Sequence, residues 1–526
     1  MESPRPAAVI EIGSTGIRLL LIEYNAEGEW RVLDQANKPV ALGRDVFTSG
    51  EVSRESFLEC LSVLQGFKEQ LEAWGIQKEV IHIIATSAVR AARNRDVFTD
   101  RLKRETGLEI AIVEGIEENR LMYLAVRYAL KNDFPKFWRF NSMILDVGGG
   151  STEIMLLRRG KMVSARSLRL GTILIDQKTR GGSDRFSERY LNENVRSAQE
   201  YLNDEMELSN IKSLVAAGPD AHQAARQIGI ELNEHCRIIA REDFFRFVKS
   251  VEHYSVEDCV RRLDIPFVNA ESFVPGLLIY QTFMERLAAE ELVVPEVSVR
   301  EGFLLSMVRG IDRELQNDFY SQVIASALSL GRKYHFDETH SRHVTQLSLT
   351  LFDELEKEHG MGSYERRLLE TAALLHDIGM YIRSSRHHLH SQYIVINSEI
   401  FGLKQEDLDI IGNVVRYHRD ETPLPSHFEY MALQREERII VLKMAAILRI
   451  ADALDRGHSQ RIRNITIERR EETLLIQSGG NSTADKDGSS VKEQGTLYQD
   501  FSLEQIGLKE KAGLFQDVFG YKVILA

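Results

Sequence analysis

The chain has 526 residues, 43% of them hydrophobic and 28% charged, which is enough for several domains, each burying a core of its own. Its formal net charge of −13 excludes broad nonspecific nucleic-acid binding, because that depends on a basic surface to neutralise phosphate, but it leaves room for a local basic channel. No apolar stretch is long enough to span a bilayer, the opening MESPRP has no signal-peptide pattern, and Cys60, Cys236 and Cys259 are too scattered for a disulfide or metal framework. The expectation is a cytoplasmic protein with buried free thiols and neither a membrane nor a specific nucleic acid as partner.

Taken in chain order, β-type runs at 8–12, 17–24, 80–85 and 109–113 alternate with helical periodicity at 54–74 and 116–130, as in an α/β lobe. A second such lobe follows, with strands at 142–145, 153–157 and 213–217 and helices at 187–207 and 270–289. From about residue 320 strands give way to helices at 340–356, 364–375, 405–417 and 436–455. Short β-type runs return at 464–468, 473–476 and 522–525, around a Gly/Ser/Asp/Lys-rich stretch that reads as a mobile loop, 478–492. The predicted domains are 1–135, 136–312, 318–462 and 463–526.

Two segments carry the chemistry: AVIEIGSTGIRL from Ala8 to Leu19, and ILDVGGGSTEI from Ile144 to Ile154. In each, an apolar run with an acidic residue near its end enters a turn of small residues, and a second apolar run leaves it. Such hairpins aim backbone N–H groups at an anion, and a pair of them suggests a cleft between related lobes. Amides of Gly13, Ser14, Gly148, Gly149, Gly150 and Ser151, with Thr152 beside them, are the candidate phosphate cradle. Asp146 and Glu153 flank the second turn, where they would hold Mg²⁺ directly or through water, and Glu11 flanks the first. Arg90 is a candidate bidentate phosphate contact.

The two hairpins resemble those of the actin-like fold shared by sugar kinases and heat-shock chaperone ATPases (the ribonuclease H-like superfamily). With them stand Leu42-Gly43-Arg44, ATSAVRAARN (85–94), EGIEENRL (114–121), Leu170-Gly171-Thr172 and Arg300-Glu301-Gly302. This ordered set resembles the exopolyphosphatase and guanosine pentaphosphate phosphohydrolase (Ppx/GppA) family along nearly the whole chain. The resemblance implies two actin-like α/β lobes, an all-α HD-type domain and a small C-terminal α+β segment. It also implies a phosphoanhydride hydrolase with Mg²⁺, or alternatively Mn²⁺, and Glu118 as the general base. Glu117 reads as a surface or capping acid.

The chain departs from the family pattern at Glu11, where Asp is usual, at Ser14-Thr15-Gly16 in place of Ser-Asn-Ser, and at Ala217–Asp220, where a glycine pair and Thr are usual. In the helical region His340, then His376-Asp377, then Asp452 reproduce the order of HD-type metal phosphohydrolases. His390 and His418 would complete a second metal position there, with His343, His387 and His388 as core residues. The leading expectation is an exopolyphosphatase releasing terminal orthophosphate from inorganic polyphosphate. Guanosine pentaphosphate hydrolysis is the close alternative; a catalytically weak polyphosphate- or nucleotide-binding regulator and a kinase-like ATPase are the others. The all-α extension suggests a homodimer.

Overall fold

In a computed structural model, residues 5–25, 30–130, 133–179, 184–307, 313–478 and 501–526 are described, so the expected loop 478–492 lies, past Ser478, outside them. They form two compact units, Met1–Ser326 with Glu399–Gly402, and Ala327–Ser398 with Leu403–Ala526.

The first unit contains two sheets. Strands β1 (Arg5–Ile12), β2 (Gly16–Tyr24), β3 (Trp30–Pro39), β4 (Ile81–Ala85) and β5 (Ile110–Ile112) lie in the order β3-β2-β1-β4-β5. Next come β6 (Asn141–Val147), β7 (Thr152–Arg158), β8 (Lys161–Leu168), β9 (Ile211–Ala217), β10 (Ile230–Asn233), β11 (Cys236–Ala240) and β12 (Glu291–Pro295). Their order, β10-β11-β12-β9-β6-β7-β8, repeats the first pattern as β8-β7-β6-β9-β12. In both sheets a hairpin pairs antiparallel, and its first strand also pairs parallel with the next strand in the sheet. The lobes are thus two copies of one topology.

Alternation along β1 and β2 sends side chains to two cores. Ala8, Ile10, Ile12, Leu19 and Leu21 join Phe57, Leu64 and Leu102 on one face. Val9, Leu20 and Ile22 turn to the other, where they meet Leu121, Met122, Ala125 and Val126 of the helix Gly115–Leu130. Ile144, Met155 and Val215 of the second sheet reach the same core, so this helix is clasped by both lobes. Its N-terminal turn, with Glu118, is held between the two hairpins by that apolar packing.

The second unit is mainly helical, with Glu338–Glu354, Ser363–Leu375, His387–Ile396, Gln405–Arg416 and Arg435–Ala453 as its longer elements. Asp337 caps the first of these by accepting from the His340 N–H at 3.0 Å. Strands β13 (Ile465–Arg470), β14 (Thr473–Ser478) and β15 (Lys522–Leu525) form a small sheet. The sheet and the C-terminal helices Ser502–Lys511 and Gly513–Phe519 belong to the same compact unit as the longer helices. Arg449 Nε donates to the Lys511 carbonyl at 2.9 Å, tying the C-terminal segment to Arg435–Ala453.

Candidate active site

The two phosphate hairpins close in the same way. The Gly13 N–H donates to the Gly16 carbonyl at 3.0 Å, and the Gly148 N–H donates to the Ser151 carbonyl at 2.9 Å. Those two amides are therefore engaged within their turns, which leaves the amides at the turn tips as the candidate anion donors. The tip carbonyls are pinned from outside: Gly43 N–H donates to Ser14 O at 2.8 Å, Thr172 N–H to Gly148 O at 3.1 Å and Ile173 N–H to Gly149 O at 3.0 Å. Tying the tip carbonyls back in this way fixes the position of each turn. Gly171 makes this approach feasible, since a Cβ there would lie 2.3 Å from the Gly149 carbonyl oxygen.

The cleft is lined by Glu11, Ser14, Thr15, Arg18, Ser87, Glu118, Asp146, Gly148, Gly149, Ser151 and Glu153, with Asp220 and Arg300 also in its wall. Asp146 and Glu153 face each other across the β6/β7 ladder, and at the same register in the first lobe Glu11 faces Arg18. The pseudo-equivalent pairs therefore differ in charge. Glu11 is paired with Arg18 at 3.5 Å and with Arg300 at 3.4 Å. Arg18 Nη2 also donates to Thr15 Oγ1 at 2.8 Å, bracing the first turn.

Carboxylates crowd the cleft. Burial, then Glu118 and Glu11, pushes the Asp146 carboxyl up to about 7. Burial and Glu118 push Glu153 well above the usual carboxylate range. Burial also raises Glu118, against the opposing pull of Arg90. Such a set of hard oxygen donors, each disfavoured as a bare charge, fits a divalent cation, which would hold them ionised. Glu153 is oriented by Ser167 Oγ at 2.7 Å and Asn119 Nδ2 at 3.1 Å.

Family models match this architecture directly: the Ppx/GppA phosphatase family over residues 21–310, and Ppx/GppA phosphatase, domain III, over 324–508. The chain belongs to the Ppx/GppA phosphatase family. It is 25% identical over 459 residues to a guanosine-5'-triphosphate,3'-diphosphate pyrophosphatase of Pseudoalteromonas atlantica, covering 84% of this chain and 85% of that one. A protein of the same name from Pseudoalteromonas translucida is 26% identical over 424 residues, covering 79% and 80%. The crystal structure of an exopolyphosphatase from Cytophaga hutchinsonii shares the fold, with a TM-score of 0.52 and 19% identity, over 59% of this chain and 99% of that one. Membership makes the chain a phosphoanhydride hydrolase that works with a divalent cation.

Within this family member several expected residues stand elsewhere than the sequence suggests. Arg90 Nη1 donates to Glu118 at 2.9 Å and to the Val113 carbonyl at 2.6 Å, so it orients the expected base. Gly150 backs onto Phe47, whose ring a Cβ would overlap at 2.1 Å. The fully buried Thr152 hydroxyl donates to the Leu170 carbonyl, which makes it a brace of the turn. Sequence reasoning missed Arg18, Arg300 and Asp220. Asp220 is buried at the start of the helix Pro219–Ile228, accepts from Ser272 Oγ at 2.8 Å, and is raised to about 7 chiefly by burial.

The second unit gathers its histidines around Asp377. His387 Nε2 lies 2.9 Å and His418 Nε2 3.5 Å from Asp377 Oδ1, while His376 Nε2 lies 3.6 Å and His340 Nε2 3.9 Å from Oδ2. Asp452 Oδ1 faces His340 at 3.7 Å and His376 at 4.0 Å. His387 thus occupies the place expected of His390, because the packing of its short helix turns the first residue inward. Each imidazole has its Nδ1 on an acceptor: Asp455 for His340, and the Ala373, Ser384 and Val415 carbonyls for His376, His387 and His418. That leaves four Nε2 atoms converging on two carboxylates, the arrangement that outer acceptors impose on metal-ligating histidines. Nε2 of His340 and of His376 are buried with no hydrogen-bond partner.

Proposed function

We propose that the protein is an exopolyphosphatase that releases terminal orthophosphate from inorganic polyphosphate with Mg²⁺. The observation that carries the reading is the facing of Glu118, Asp146 and Glu153 with two phosphate turns in one cleft. The tip amides of residues 14–15 and 149–150 hold the terminal phosphoryl group beside the Glu118 carboxylate. Glu118, fixed by Arg90, accepts the proton of the attacking water at a carboxylate oxygen. Its raised affinity for protons suits that task. Asp146 and Glu153 would hold Mg²⁺, which when bound neutralises phosphoryl oxygens. Arg18 and Arg300 add positive charge to the cleft lining.

Guanosine pentaphosphate hydrolysis is the second reading, favoured by the names of the Pseudoalteromonas relatives. In the second unit, His340, His376, His387, His418, Asp377 and Asp452 constitute a further cation site in this reading, supported by the four converging Nε2 atoms. The reading includes a cytoplasmic homodimer, with the mainly helical second unit as the surface for a second copy.

Parallel phosphate-release assays with long polyphosphate, tripolyphosphate and guanosine pentaphosphate, in Mg²⁺ and then Mn²⁺, test it. Release from polyphosphate is expected. Higher kcat/KM on guanosine pentaphosphate would move the assignment to the second reading, and no release from any substrate would overturn both.

A further inference from the structure

The active-site cleft continues into a groove that the catalytic residues do not account for. Arg18, Pro219, His222 and Arg300 line both. Beyond them the groove runs between β3, which contributes Gln35, Ala36 and Asn37, and the helix Pro219–Ile228, which contributes Gln223 and Arg226. Pro219, His222, Gln223 and Arg226 recur at the spacing that puts them on one helical face, and Gln35 and Asn37 lie two apart, on one side of a strand. Asn269 completes the wall.

The composition of this lining is unusual for a chain of net charge −13. It holds three arginines, four side-chain amides and a histidine, and no carboxylate. Two of the arginines, Arg18 and Arg300, share Glu11 at the groove's inner end. Arg226 meets Glu296 only at 3.9 Å, and its side chain is 57% exposed, so its guanidinium is available to an anion. His222 is tied to the Pro295 carbonyl at 2.9 Å and remains neutral at physiological pH, acting there as shape rather than charge. A basic, amide-lined trough leading away from the reacting phosphoryl group suits a flexible polyanion whose charges repeat along its length.

We propose that this groove binds the phosphates of a long polyphosphate chain beyond those in the cleft, with Arg226 and Gln223 as its outer, chain-length-selecting contacts. The inference rests on the polyphosphate reading above and adds to it a physical basis for preferring long chains. Arg226 and Gln223 line the groove and not the cleft that holds the carboxylates, so they set affinity for the tail and leave the reaction itself alone. A substrate too short to leave the cleft does not feel them.

The test is steady-state hydrolysis of long polyphosphate and of tripolyphosphate by wild type, Arg226→Glu and Gln223→Glu, at low and high salt. Charge reversal at an exposed rim is expected to raise KM for the long chain about fivefold or more at low salt, with the difference shrinking as salt rises. The kcat on either substrate and KM on tripolyphosphate stay at wild-type values. Equal KM changes on both substrates, or none on the long chain, would overturn the proposal. Binding of long polyphosphate, followed by fluorescence anisotropy of an end-labelled chain, separates this from the functional reading. If wild type binds the chain without hydrolysing it, the exopolyphosphatase reading fails, while tighter or equal binding by Arg226→Glu is what would sink the groove.

Discussion

At the scale of single residues, burial sets the chemistry. Asp220 shows this in a form that stability measurements can reach. Its carboxyl, ordinarily near 3.8, is pushed up to about 7 mainly by burial, with Ser272 and Arg18 opposing. The folded state therefore binds its proton more tightly than the unfolded state does. Stability is undiminished below about pH 4, falls as pH rises toward 7, and stays at its lowered value above that. Asp220→Asn keeps an acceptor for Ser272 and removes the charge. In urea titrations with chelator present, the variant should match wild type near pH 4 and exceed it at pH 8; equal stability at both would show that the carboxyl is not held in a costly place. Residue types at this scale were partly legible. Asp146 and Glu153 stand out because acids beside glycine turns are conspicuous, and Glu118 through its resemblance to the family's Glu-Glu-x-Arg pattern. The pairing of Glu11 with Arg18 also follows from counting register across a four-residue turn, 13–16. Arg300 and Asp220 were hidden, because they reach the cleft only through the closure of distant elements.

At the scale of elements, the two hairpins were readable because their strands are apolar on both faces and their turns are built of small residues. Strand β3 was missed, since its sequence, WRVLDQANKP, is polar and largely exposed at a sheet edge, with no apolar alternation to read. Likewise, a choice between His387 and His390 depends on which face of Ile378–Tyr381 and His387–Ile396 meets, and Ser391 Oγ accepting from Gly379 N–H at 2.8 Å decides it. The hairpin tips are pinned by backbone neighbours, and this makes them sensitive to one added methyl group. Gly171→Ala brings a Cβ to 2.3 Å from Gly149 O and must displace the second phosphate turn. A shift of that order is expected to lower kcat/KM about 100-fold. Circular dichroism should show the variant folded; a folded variant with wild-type kcat/KM would mean that the turn position is not critical.

At the scale of the molecule, the chain is two compact units, each with a cluster of ligands suited to a divalent cation. A ligand that binds only the native state raises the stability of the unit that holds it. Calorimetry is expected to resolve two transitions, both shifted upward by Mn²⁺. His376→Ala should abolish the shift in one of them and leave the other intact. Identical Mn²⁺ responses in variant and wild type would remove the histidine cluster from the list of cation sites.

The account stands most directly on Glu118 as the base that receives water's proton in the two-hairpin cleft. Phosphate release from polyphosphate by Glu118→Gln, measured beside substrate binding, addresses that claim alone, since Gln keeps the shape and the Arg90 contact while losing the basic oxygen. The predicted result is turnover lowered about 10²- to 10⁴-fold with binding nearly unchanged; turnover close to that of wild type would contradict it.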